Sequence, residues 1–159
     1  MWGQSYHPIE LILVDDGSTD ETPKVVADWK KSHSADWFEF KYIRKENSGP
    51  ASIRNVGIKA ATGDFIYFLD SDDYMYETLA EEAINNLQQE GSDCVIFGFT
   101  FSKDEEIKGE YLPPSKTQPL TAFLFGQLWG YTSCILSKSQ LVSEVGFWSD
   151  ELRNAEDYE

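Results

Sequence analysis

Apolar and polar positions along this chain alternate between a strand rhythm and a helix rhythm. In "IELILVDDGSTDETPKVVADW", Ile9 to Val14 is a nearly continuous apolar run of strand length, rich in β-branched residues. Such a run predicts a parallel strand covered on both faces. Asp16-Gly17-Ser18 is turn chemistry, and Thr19 or Asp20 can cap a helix in which Val25, Val26 and Trp29 share a face and Pro23 sits in the first turn. "FEFKYIR" then alternates like a strand. "NSGPASIRNVGIKAATG" turns into a second helix, where Ile53, Val56, Ala60 and Ala61 line one face and Gly63 follows as a stop.

A third cycle starts at Phe65. The run Phe65 to Leu69 is a strand, "YETLAEEAINNLQQEG" a helix with Leu79, Ala83 and Leu87 on one stripe and Gly91 at its end, and "DCVIFGFTF" another buried strand. The order βαβαβαβ predicts an α/β domain with a mainly parallel central sheet flanked by helices. Past residue 100 the rhythm loosens. "SKDEEIKGEY" reads as a hairpin or excursion, "LPPSKTQP" as a loop, "LTAFLFGQLW" as helical, and "YTSCILSKSQLVSEVG" as a strand with a short helix. No internal repeat and no interdomain linker interrupts the 159 residues, one domain's worth of chain.

Two of the apolar strands run straight into acidic clusters: Val14 into Asp15-Asp16, and Leu69 into Asp70-Ser71-Asp72-Asp73. In open α/β sheets ligands bind beyond the carboxyl ends of the strands, so both clusters are expected at one edge. Asp and Ser between a strand and a helix are also ordinary N-caps, and for either cluster alone that is the better account. The count favours more than a cap. A cap needs one short acceptor, whereas three carboxylates in four residues repel one another unless a cation compensates. An EF-hand loop does not fit, because Tyr74 and Met75 occupy the place of its glycine. Hard oxygen ligands at this density suit magnesium or manganese completed by phosphate oxygens and water.

Charge narrows the partners. Thirteen basic residues against 28 acidic ones give a net charge of −15, a field that repels nucleic acid and anionic lipid surfaces. An anionic substrate therefore needs a local remedy such as a metal ion or a backbone nest. Cys94 and Cys134 lack metal-type spacing and read as core thiols, and His7 and His33 stand in unrelated contexts. The N-terminus carries no signal pattern and no apolar run reaches membrane-span length, which gives an expected cytoplasmic location, or a peripheral one on the inner face of a membrane.

The blocks "ELILVDDGSTDET", "NSGPASIRNVGIKAATGDFIYFLDSDDY" and "AEDYE", in this order and spacing, resemble the successive signatures of the inverting family 2 glycosyltransferases with the GT-A fold. The resemblance implies a nucleotide-diphospho-sugar donor, a UDP-sugar by family preference, a Mg2+ or Mn2+ ion, and a glycan or lipid-linked acceptor. By motif, it gives Asp16, and less directly Asp15, to the nucleobase, and Arg54 to the nucleotide. Asp70 goes to the ribose and Asp72 to the metal, as the two ends of a D-x-D motif. Asp157 becomes the catalytic base, with Glu156 as second choice; Trp148 and Trp129 are available to stack on a sugar, although core packing is the commoner use of such residues. Residues 1–159 then form a partial domain, with a nucleotide-sugar-binding half at 1–100 and an acceptor and catalytic-base half, incomplete, at 101–159. The family opens with a further strand before "QSYHPIELILVDDGS" and continues beyond Glu159. Ile9 to Val14 is therefore expected to present an unpaired edge, which a homodimer would cover.

Two other readings accompany this one. A transferase-like binding or assembly module would hold nucleotide without turnover. A nucleotidyltransferase of related design would also use metal-bound carboxylates, but no glycine-rich basic phosphate loop is present near the start of the chain.

Overall fold

The computed structural model describes residues 1–103, 106–113 and 131–149. The first unit is strand β1 (Ile9–Asp15), helix α1 (Thr22–Ser32) and strand β2 (Phe38–Arg44). β1 and β2 pair in parallel over their whole length, from Ile9 opposite Phe38 to Asp15 opposite Arg44. Among the described residues β2 is the one strand paired with β1. The apolar side chains of β1 are half-buried and Asp15 is its one buried residue. Asp20 accepts the N–H of Thr22 at 2.9 Å and so opens α1. Val26 and Trp29 are half-buried on α1, but Val25, expected on the same face, is 62% exposed.

Helix α2 (Pro50–Ala60) follows, entered through Gly49 with φ at 89° and with proline as its first residue. Its most buried positions are Ala51 and Asn55, one turn apart, while the expected stripe of Ile53, Val56 and Ala60 is only half-buried. The buried face of α2 therefore carries a polar group, and its partner matters for the site.

The second sheet, with the helix that covers it, is built from β3 (Phe65–Tyr67), helix α3 (Leu79–Glu90), β4 (Cys94–Ile96) and, from much later in the chain, β7 (Ile135–Lys138). β7 lies between β3 and β4 and runs antiparallel to both, pairing Ile66 with Ser137 on one side and Val95 with Leu136 on the other. β3 and β4 thus run parallel to each other with an antiparallel strand inserted. The expected single strand over "DCVIFGFTF" divides at Phe97-Gly98, and its second part pairs with the following segment as a hairpin of β5 (Phe99–Lys103) and β6 (Glu106–Tyr111). A 3-10 turn at Thr132–Cys134 leads into β7, and α4 (Ser139–Val145) follows it. The "LTAFLFGQLW" segment lies outside the described residues.

Helix α3 covers this sheet. Ala83, Ile84 and Leu87 pack on Leu136, joined by Phe65, Tyr67 and Val95 from the strands and by Phe97 just after β4. Leu87 is 1% exposed, and burying a leucine this fully stabilises by about 1.5–3 kcal/mol. Gly91, left-handed at φ 64°, ends the helix where the sequence predicts the stop. At its start, Gln4 donates to the carbonyl of Tyr76 at 2.8 Å and accepts from the N–H of Ala80 at 3.3 Å, so the N-terminal segment is tied to the chain just after the D-S-D-D turn. The two histidines are structural neighbours of tryptophan. His33 stacks on Trp29 at 4.2 Å and His7 lies 4.0 Å from Trp37.

Candidate active site

The carboxyl end of β1 makes the first part of the site. Gly17 takes φ 82°, and a Cβ there would come within 3.0 Å of the Asn47 nitrogen and 3.3 Å of the Lys45 oxygen, so only glycine lets the two loops meet. Asp15 points inward and its side chain is 2% exposed. Its carboxylate accepts the Ser18 N–H at 2.7 Å and the Tyr42 hydroxyl, with Arg44 at 3.5 Å. Hydrogen bonds from Ser18 and Tyr42 bring its pKa down to about 2.

Asp16 turns the other way, to the entrance of α2. One of its oxygens accepts the Ser48 N–H at 2.9 Å and the other the Gly49 N–H at 2.8 Å, with the Lys45 ammonium 3.6 Å away. Burial raises its pKa, but the N–H groups of Gly49 and Ser48 and the charge of Lys45 outweigh this and hold it below the ordinary aspartate range. Beside it lies a shallow, open hollow of about 630 Å³ lined by Gly17, Arg44, Lys45, Glu46 and Asn47. The three basic or amide groups on this rim supply local positive and donor character in a strongly acidic chain.

The carboxyl end of β3 makes the second part. The chain beyond Tyr67 folds into a turn in which the Asp73 N–H donates to the Asp70 carbonyl at 3.0 Å, bringing Asp70, Asp72 and Asp73 onto one exposed corner. The Asp70 N–H donates to the Ser133 hydroxyl at 3.2 Å, and the Tyr67 hydroxyl to the Ser133 carbonyl at 2.8 Å, so the 3-10 turn before β7 fixes the end of β3. The Asp70 carboxylate is half-exposed and stands 3.6 Å from the Arg54 guanidinium, which is only 10% exposed. Burial, with Cys134 and the carboxylates of Asp73 and Asp70 adding to it, pushes the Tyr67 phenol upward.

Helix α2 joins the two parts. Its entrance meets Asp16, and Arg54, on its second turn, meets Asp70. Trp148 completes this side. Its ring contacts Phe68 edge-on at 5.0 Å, the Arg54 guanidinium lies 5.9 Å from the ring centre, and its backbone is held by Asn55. Asn55 and Ser133 are the residues that sequence reasoning passed over. Both sit in otherwise ordinary helix and turn patterns, and only the fold brings them to the site. Asp157, Glu156 and Trp129 lie outside the described residues.

The residues of the turn suit a hard cation in part. The Asp72 carboxylate makes no hydrogen bond or ion pair among the described residues and is open to solvent beside Asp73. Among the described residues no three His, Cys, Asp or Glu side chains converge as a ready metal site, so a cation here would rely on phosphate and water oxygens for the rest of its shell.

Comparison with known proteins decides the family. The profile of Glycosyl transferase family 2 matches residues 3–137. The chain belongs to this family. It is 32% identical over 136 residues to the putative glycosyltransferase EpsH of Bacillus subtilis, an alignment that takes in 81% of this chain and 38% of EpsH. An uncharacterized glycosyltransferase of Rickettsia conorii is 37% identical over 109 residues, 69% of this chain and 17% of that protein. Among solved structures, S. aureus TarS 1-349 superposes with a TM-score of 0.76 at 24% identity, covering 98% of this chain and 46% of that one. The family member thus has the GT-A architecture of TarS, a protein also solved with UDP and with UDP-GlcNAc. The chain spans less than half the length of each of these relatives.

Proposed function

We propose that this chain is part of a metal-dependent inverting glycosyltransferase that moves a sugar from a nucleotide-diphospho-sugar, with UDP as the nucleotide, to a glycan or lipid-linked hydroxyl. The observation that carries the reading is helix α2 touching both acidic strand ends, Asp16 at its entrance and Asp70 through Arg54, in a chain of Glycosyl transferase family 2. The TarS complexes with UDP and UDP-GlcNAc support the choice of donor class. In this reading the first 100 residues bind the donor, and residues 101–159 contribute the acceptor side and the base.

The residues divide the work as follows. Asp16 and the hollow beside it receive the nucleobase, while Asp15 holds the turn that places Asp16. Asp70 faces the ribose, and Arg54 keeps positive charge beside the nucleotide. Asp72 would hold Mg2+ or Mn2+, which when bound supplies positive charge to the departing diphosphate. Asp157, with Glu156 as its neighbour, takes the proton of the acceptor hydroxyl as that oxygen bonds to the anomeric carbon and the bond from that carbon to the diphosphate oxygen breaks on the opposite face. Among the described residues no helix is long and apolar enough to cross a membrane. A cytoplasmic site of action, at the inner face of a membrane when the acceptor is lipid-linked, fits the donor class.

Calorimetric titration with UDP tests this, with manganese present and again with chelator. Binding that requires the metal is expected. A folded sample that binds neither UDP nor another nucleoside diphosphate would overturn it.

A further inference from the structure

Asn55 is a polar side chain buried on the inward face of α2, and both ends of its amide are engaged by one residue 93 positions away. Its Nδ2 donates to the Trp148 carbonyl at 2.8 Å, and its Oδ1 accepts the Trp148 N–H at 2.9 Å. Such a two-point grip fixes a segment in rotation as well as in distance. No other side chain type of this size offers a donor and an acceptor side by side without charge. The gripped residue is not remote from the site. Trp148 packs against Phe68, two residues before Asp70, and its ring lies beside Arg54, the residue that faces Asp70. Next to it, Lys59, one turn further along α2, lies over the Phe147 ring at 4.8 Å, so the same segment is anchored to the helix twice.

We infer that Asn55 is a positioning residue for donor binding. By holding the Trp148 backbone it sets the indole against Phe68 and Arg54, and through them the place of the Arg54 guanidinium relative to Asp70. It touches no ligand itself. The inference rests on the reading that a nucleoside diphosphate binds at this strand edge. It adds a residue that acts through Trp148.

The two-step dependence is open to a double-mutant cycle. UDP, with manganese, is titrated into the 159-residue chain, Asn55→Ala, Trp148→Ala and the double variant, each well below its melting temperature. The expected result is that either single substitution weakens UDP about three- to tenfold, Asn55→Ala by releasing the Trp148 backbone and Trp148→Ala by removing the indole from beside Arg54. The double variant should bind no more weakly than Trp148→Ala alone, because Asn55 acts only through Trp148. Amide hydrogen exchange at Trp148 should speed up in Asn55→Ala while the α3 amides stay protected. Should Asn55→Ala fail to fold, Asn55→Asp, which keeps the acceptor for the Trp148 N–H, enters the same cycle. Parental UDP affinity in the Asn55 variant, or losses that add in the double variant, would overturn the inference and leave the donor site standing. Absence of UDP binding by the parent chain would overturn both.

Discussion

The carboxylate of Asp16 accepts the backbone N–H of Gly49 at 2.8 Å, across 33 positions of sequence, and so joins the end of the first strand to the mouth of helix α2. The second oxygen takes the Ser48 N–H, so one side chain from another element meets the last two backbone donors leading into the helix. Asp16→Ala is expected to lower stability by about 1–2 kcal/mol, the usual cost of losing a cap with charge-assisted bonds. It should also weaken UDP. Urea unfolding and calorimetry on the same sample check the two effects, and a variant as stable as the parent would show that water replaces the carboxylate at no cost.

Asp72 is the opposite case. It is exposed and bonded to nothing among the described residues, so Asp72→Asn should change stability by no more than about 0.5 kcal/mol, or raise it slightly by easing repulsion from Asp70 and Asp73. Metal-dependent UDP binding should fall at least about tenfold, a single lost charge-assisted ligand. If the variant instead unfolds while metal has no effect on the parent, the acidic turn is a structural cap.

Acid stability should depend on Asp15. Its folded pKa of about 2 lies below the ordinary 3.8, so its stabilisation is fully present above about pH 4 and is lost as pH falls toward 2. Asp15→Asn should therefore cost stability at neutral pH and flatten the acid limb of the stability curve in that window. Thermal melts of parent and variant at stepped pH read this directly. Parallel curves would mean that other carboxylates govern the acid limb.

The two thiols should differ in reactivity. Burial, reinforced by the carboxylates of Asp73 and Asp70, pushes Cys134 up to about 11, and its side chain is buried; Cys94, raised by partial loss of solvent and by Asp93, is still exposed at the start of β4. Iodoacetamide at pH 8 should label Cys94 at least about tenfold faster, with Cys134 labelled only on unfolding, since the thiolate is the nucleophile. Mass mapping of the labelled peptides distinguishes the two, and equal rates would argue that the turn before β7 opens freely.

Much of this was legible along the chain. The apolar run ending at Val14, the stripe of Ala83 and Leu87, and the stop at Gly91 are local patterns, and local patterns fix local structure. The acidic strand ends are local too, and with them came the candidate residues Asp16, Asp70 and Asp72. What could not be read is whatever depends on distant segments meeting. Asn55 looks like any polar residue on a helix until Trp148 reaches it. Ser133 looks like loop until it meets Asp70. Asp15 and Asp16 are neighbours of identical chemistry, and only the packing of Tyr42 and Arg44 around one, and of the α2 entrance around the other, separates an internal brace from a residue at the edge of the site.

The placement of β7 between β3 and β4 also governs the order in which the molecule can come into being. β3 and β4 are made early, but the strand that joins them starts at Ile135, and Ser133, which holds Asp70, comes just before it. A nascent chain that has reached only the hairpin carries its acidic turn without that support. Until the growing chain has passed Ile135 that turn has no such anchor, so a fragment released before this point would carry helices and strands without the brace that fixes Asp70.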